Sequence, residues 1–327
     1  MRIGPVAACL LVAGLSGSAQ TGWVDPSRHT HRLVPIGPDT TLEVLDWGGS
    51  GRTLVLLAQL GQTAHIYDDW APTLAGTYRV LGITRRGFGQ STAGGSYSAE
   101  ELATDIVKVL DAENLRDPVL VGNGFAGEEM SWIAGHLPNR TAGLVYLNAA
   151  YDRTDIASEG AITRRIPPRP PPGPSDTQSV EALTRWASKG IGFPIPEAEF
   201  RQLAQLAPDG RVTGERTPPA IRQQILAGMV KPDYSAIQVP VLAIYARPVS
   251  ANAFPGCTDV TDDAVRQACQ DLYVWTLRQL GASEKLVETI PSRSWIVELH
   301  GAHAFVFLSN PTQVVRAMEA FVATLPR

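Results

Sequence analysis

The stretch VGNGFAGEE, Val121–Glu129, decides how the rest of the chain is read. An apolar run, Pro118–Val121 (PVLV), leads into it, and an amphipathic helical pattern leaves it. The order is strand, sharp turn, helix. This is the frame G-x-S-x-G, in which a serine on the turn presents its hydroxyl for attack. Gly124 stands where that serine belongs. The turn signal is kept and the reacting group is missing from it.

Similar apolar runs flank this turn on both sides: Thr53–Ala58, Arg79–Thr84, Gly143–Leu147, Pro240–Ala246 and Ser294–Leu299. Near-continuous apolar runs suit parallel strands that are covered on both faces. Helical patterns separate them. Ser98, with Glu101 three residues on, forms a capping box before an apolar face of Leu102, Ile106, Val109 and Leu110. Asn310 as cap and Pro311 at the first helical position open the last helix, with Val314, Met318, Phe321, Val322 and Leu325 on its buried side. Arg32–Ile36 and Thr41–Trp47 read as an antiparallel entry hairpin. The alternation predicts an α/β fold: a mostly parallel central sheet with helices on both faces.

One region breaks the alternation. From Tyr151 to about Asp233 there are no strand signals. The stretch RRIPPRPPPGP is a stiff polyproline segment, read as a tether. Helical patterns follow at Ser179–Ser188, Pro196–Leu206 and Pro219–Met229. Trp186, Phe193 and Phe200 argue against disorder. The region reads as an inserted helical cap over the carboxyl edge of the sheet, where open α/β sheets bind ligands. The expected division is a signal peptide over 1–19, a first core part over 20–150, the cap over 151–233 and a second core part over 234–327.

Composition narrows the class. A chain of 327 residues, 44% hydrophobic, can bury a large core. A formal net charge of −4 with no basic block speaks against nucleic acid and anionic membrane as partners. The N-terminus has one Arg, an apolar run too short to span a bilayer, and small residues ending at Ala19. That predicts a cleaved signal peptide and a secreted or periplasmic protein, without stable membrane insertion. Removing it removes Cys9 and leaves Cys257 and Cys269, an even pair expected to form a disulfide in an oxidising compartment.

From about Leu33 onward the chain resembles the α/β-hydrolase superfamily, most of all capped bacterial esterase-like members. Five pieces carry the resemblance in the right order: LLAQLGQTAHIYDDWAPTLA, YRVLGITRRGFGQS, PVLVGNGFAGEE, RTAGLVYLNAAY and HGAHAFVFLSNPTQVVRAMEAFV. The resemblance implies a Ser–His–acid triad, and at all three positions the sequence departs. The serine column falls on Gly124. The acid column has two possible homes: the loop after Pro240–Ala246, which offers no carboxylate before Asp259, and the end of Gly143–Leu147, which falls on Asn148. The histidine column, counted back from Pro311, falls on Ala304, with His303 one residue off and kept as a fallback base. The resemblance further implies an oxyanion hole from the backbone N–H groups of Leu60 and Phe125, and a pocket floor including Gln59 and Asn123. Gln59 stands where relatives have glycine, so its side chain either intrudes or bonds a ligand.

Two functions follow as expectations. The first is an exported homologue that has lost Ser–His–Asp hydrolysis and binds a small apolar or ester-like ligand under its cap. The second is an active enzyme of this superfamily, an ester hydrolase, lyase or cofactor-free catalyst, that uses His303 in place of the triad. No cofactor and no metal are expected. Glu298, His300 and His303 form only a weak metal pattern, Arg85 and Arg86 read as a turn held by salt bridges, and His65 reads as a satisfied structural histidine.

Overall fold

The computed structural model describes residues 23–326. The expected signal peptide, and Cys9 with it, lies outside the described residues. In chain order the elements are β1 (Thr30–Gly37), β2 (Thr40–Gly48), β3 (Thr53–Leu57), α1 (Ala71–Leu74), β4 (Arg79–Ile83), α2 (Ala99–Ala112), β5 (Val119–Asn123), α3 (Ala126–His136) and β6 (Gly143–Leu147). The cap contributes α4 (Ile156–Thr163), α5 (Val180–Ile191), α6 (Glu197–Leu203), β7 (Ala204–Leu206), β8 (Val212–Glu215) and α7 (Pro219–Ala227). The core resumes with β9 (Val241–Arg247), α8 (Asp263–Glu288), β10 (Ser294–His300), α9 (Val306–Ser309) and α10 (Pro311–Val322).

Eight strands form one sheet in the order β1-β2-β4-β3-β5-β6-β9-β10. β2 runs antiparallel to both β1 and β4, and the remaining pairs are parallel. The apolar runs explain this. In β3, Leu54 and Leu56 join one core cluster and Val55 and Leu57 the other, so successive side chains fill opposite faces. One cluster packs α2, α3 and α8 on the sheet, and the other packs α1, α9 and α10. Chain order reverses between β3 and β5, which pair directly, with Leu57 opposite Gly122. The loop after β3 and the turn after β5 therefore emerge side by side at the carboxyl edge, the usual ligand crevice of such sheets.

Glycines let the β5–α3 turn close. A Cβ at Gly122 would stand 2.9 Å from that of Ala126 and overlap Met130 Sδ. A Cβ at Gly127 would stand 2.9 Å from the Ala149 carbonyl carbon and run into its oxygen. Helix and strand approach too closely there for any side chain.

Several expectations need correction. The cap contains a short antiparallel hairpin, β7–β8, where no strand was expected. The helix expected over Pro196–Leu206 stops at Leu203 for that reason. Helices α4 and α8 were not foreseen. The capping box at α2 is half formed: Ser98 Oγ accepts from Glu101 N–H at 3.2 Å, but Ser98 N–H donates to Ser96 Oγ. Asn310 makes no side-chain cap at α10, because its amide bonds Gln313 and Ser309 instead. The expected disulfide Cys257–Cys269 is present, with the Cα atoms 5.7 Å apart. It packs on Ile166, at the start of the proline segment. Among the described residues no helix is long and apolar enough to cross a membrane.

The close approach at α3 yields a test. Gly127→Ala should destabilise the fold by about 1–3 kcal/mol, the range of overpacking, read as a lower urea midpoint at unchanged slope.

Candidate functional site

Gly124 forms the turn between β5 and α3 with φ +56°. Only glycine adopts that conformation without steric cost, and a serine there is strained. The space above the glycine is filled. Gln59, on the loop after β3, places Cγ and Cδ 3.1 Å from where a Cβ on residue 124 would sit, with Oε1 closer still. Its amide lies where a nucleophile's side chain would begin.

The two expected oxyanion donors remain available. Among the described residues, neither Leu60 N–H nor Phe125 N–H has a hydrogen-bond acceptor. Their side chains join an apolar cluster with Phe88, Tyr97, Leu102 and the cap residues Ile221 and Ile225. Arg85 holds the two donors in register. Its guanidinium clasps Glu129 of α3 at 2.5 and 2.8 Å and donates to the carbonyls of Ala58 and Gln59 at 3.1 and 3.4 Å. One buried cation thus ties the loop bearing Leu60 to the helix that starts beside Phe125. Arg86 clasps Asp105, so both arginines hold the turn through salt bridges, as expected.

Asn123 is not a pocket residue, contrary to the sequence reading. It is 1% exposed, and its amide donates to the carbonyls of Leu147 at 2.6 Å and Ala304 at 3.0 Å. It pins the end of β6 and the loop after β10 to β5, which brings Ala304 beside the turn. Asn148 adopts φ +52° at the end of β6. Its Oδ1 accepts from Tyr151 Oη at 2.7 Å and Ala246 N–H at 3.0 Å. It also lines a cavity of about 240 Å³ between α4 and α8.

His303 is half-buried, and burial lowers its pKa. Its Nδ1 accepts from Phe305 N–H at 3.1 Å, and its ring packs against Phe193 and Phe305. A triad histidine donates from Nδ1 to a carboxylate and accepts at Nε2. His303 has the opposite arrangement when neutral: Nδ1 is the acceptor and Nε2 carries the proton. The weak pattern Glu298–His300–His303 does not converge; Glu298 reaches His300 of its own strand at 3.6 Å and Arg247 at the end of the neighbouring β9.

The cap brings two residues that the sequence reading missed. Glu199 of α6 is 1% exposed and accepts from Thr63 N–H at 3.1 Å and Thr63 Oγ1 at 2.5 Å, on the loop that carries Leu60. Burial pushes its carboxyl up to about 8 against the pull of those bonds. Arg222 of α7 lies over Gly61, its Nε 3.1 Å from the position of a Cβ there. The same arginine lines a mainly apolar cap cavity of about 490 Å³ with Leu183, Trp186, Phe200 and Leu203. Its Nη1 pairs with Glu215 of the same cavity at 2.9 Å, while its Nε is buried without a partner.

With this geometry in place, comparison with known proteins gives the family. The model of the alpha/beta hydrolase family matches residues 54–317, and the chain belongs to that family. It is 25% identical over 247 residues to 3-oxoadipate enol-lactonase 2 of Acinetobacter baylyi, covering 75% of this chain and 86% of that protein. It is 30% identical over 142 residues to a carbendazim hydrolyzing esterase of a Nocardioides species, covering 42% of this chain and 57% of that protein. Three other relatives are spanned over less than half of their length. The crystal structure of E-2-(acetamidomethylene)succinate hydrolase superposes with a TM-score of 0.66 at 17% identity, over 90% of this chain and 100% of that one.

The site generates two tests. Adding a Cβ at Gly124 meets both φ strain and Gln59, so Gly124→Ala should cost about 1–3 kcal/mol. Gln59→Gly should recover part of that loss, and a double-mutant cycle by urea unfolding should show the two positions coupled by at least about 0.5 kcal/mol. Glu199 gives a pH dependence. Its folded pKa of about 8 lies above the ordinary 4.5, so the folded state holds the proton more tightly. Its contribution is fully present below about pH 4.5 and is lost as pH rises through about 8. Glu199→Gln, the isostere of the protonated acid, should flatten the decline in Tm between pH 5 and 8, on the order of a few kcal/mol in stability.

Proposed function

We propose that this member of the family binds a small apolar or ester-like molecule beneath its cap without hydrolysing it, as a secreted or periplasmic protein. The observation that carries this reading is the Gln59–Gly124 contact. The turn has lost the hydroxyl, and a neighbouring side chain fills the space it would need. We take Gly124, Asn148 and Ala304 as the triad-equivalent positions. None of the three carries the group that acyl transfer requires.

What is kept suits binding. Two unpaired N–H donors at Leu60 and Phe125 match a carbonyl oxygen. The cap holds a mainly apolar cavity in which Arg222 is paired with Glu215. Export is supported by the N-terminal sequence and fits a chain with a disulfide. The relatives are named as hydrolases and a lactonase, which motivates an ester-like ligand. The competing reading, catalysis with His303 as base, is opposed by the Phe305 N–H that occupies Nδ1.

Hydrolysis of short and medium p-nitrophenyl esters tests the proposal. The parent chain should show no turnover above the uncatalysed rate. The variant Gly124→Ser, Asn148→Asp, Ala304→His should gain activity, and adding Gln59→Gly should raise it further. The fourfold variant should exceed the parent by at least about 100-fold, the scale on which such groups act. Enzymatic turnover by the parent, lost in His303→Ala, would overturn the proposal in favour of the histidine-based enzyme.

A further inference from the structure

Away from the turn, Asp25, His29, His65 and Asp68 converge on one point. One ligand atom from each lies within 4.8 Å of all the others. His65 Nδ1 is 2.8 Å from Asp68 Oδ2 and 3.8 Å from Asp25 Oδ2. His29 Nδ1 is 3.1 Å from Asp68 Oδ1, and its Nε2 is 3.9 Å from Asp25 Oδ2. The 4.8 Å span exceeds the edge of about 3.3 Å in a zinc tetrahedron, so the four side chains draw in to close on an ion. The side chains of His29, His65 and Asp68 are each at least 94% buried, while that of Asp25 is 26% exposed and opens the group to solvent.

A second observation points to a cation. His65 Nε2 is buried without a hydrogen-bond partner and faces Glu43 Oε1 at 3.7 Å. A neutral imidazole has one N–H. Spent on the 2.8 Å bond from Nδ1 to Asp68 Oδ2, it leaves Nε2 as a lone pair facing Glu43. Carried on Nε2 instead, it faces Glu43 and frees the Nδ1 lone pair for a cation shared with Asp68 and Asp25. A metal ion at that point resolves the arrangement, and Glu43 becomes the outer carboxylate that orients a metal-bound histidine.

We propose that Asp25, His29, His65 and Asp68 form a zinc site. Two nitrogens and two carboxylate oxygens suit Zn²⁺ better than Mg²⁺ or Ca²⁺, which prefer all-oxygen sets. The spacings, D-x3-H and H-x2-D in two separate segments, form no metal signature in sequence, which is why none was expected. The site staples the N-terminal arm to the 3-10 turn Ala64–Tyr67, immediately after the loop that Glu199 holds. The same arm lays Trp23 on Arg201 of α6, with the guanidinium 4.4 Å from the ring centroid. The ion therefore fixes a strap between core and cap. This inference is independent of whether the turn at Gly124 is catalytic.

The test uses the full chain, expressed without a histidine tag, stripped with chelator and titrated with Zn²⁺ by calorimetry and by elemental analysis after gel filtration. One equivalent should bind and raise Tm, with no response to Mg²⁺ or Ca²⁺. His29→Gln and Asp25→Asn, at the more open ligands, should each weaken Zn²⁺ binding at least about tenfold while circular dichroism stays unchanged. A folded chain that binds no Zn²⁺ would overturn the proposal and leave a proton as the cation. Stoichiometric binding unaffected by both substitutions would overturn it equally, since the ion would then sit elsewhere.

Discussion

The site depends on one steric relation: the side chain of Gln59 lies where a side chain at position 124 would begin, and must swing aside to admit one. That relation follows from topology. β3 and β5 pair directly where chain order reverses, so the segments that leave them are neighbours at the carboxyl edge. In a hydrolase of this family the first segment supplies an oxyanion donor and the second a nucleophile. Here the first segment sends an amide into the nucleophile's place. Glycine at 124 accommodates both the amide and the positive φ.

A buried polar skeleton keeps the rest of the crevice in shape. Arg85 spans from the loop carbonyls to Glu129 of α3, Asn123 joins three segments through one amide, and Glu199 ties the cap to Thr63. Breaking such buried pairs leaves an unpaired group in a low dielectric, which costs more than the intact pair contributes. This skeleton preserves the donors at Leu60 and Phe125 whether or not a nucleophile stands beside them.

Much of the architecture was legible in sequence, for identifiable reasons. Strands buried on both faces must be apolar throughout, so Gly143–Leu147 could be placed to the residue. The hairpin β7–β8 was illegible because it is short and largely exposed, as in VTGE. Helix α8 was missed because its buried side includes small or polar residues such as Ala268, Cys269 and Ser283. At the site, local motifs revealed Gly124 and the loop of Gln59. They could not reveal Glu199, whose partner lies 136 residues away, nor that Asn123 turns from the pocket to bond two carbonyls. Long-range polar pairing leaves no periodic trace in a single sequence.

The central claim is that no activated serine stands at the β5–α3 turn or has been relocated to serve it. Intact-mass analysis after exposure to a fluorophosphonate probe tests this most directly, because the probe requires an activated nucleophile and no knowledge of the ligand. The account predicts no adduct on the parent chain and a single adduct, at position 124, once Gly124→Ser, Gln59→Gly, Asn148→Asp and Ala304→His are combined. A stoichiometric adduct on any serine of the parent chain, formed at the rate of a serine hydrolase, would contradict it.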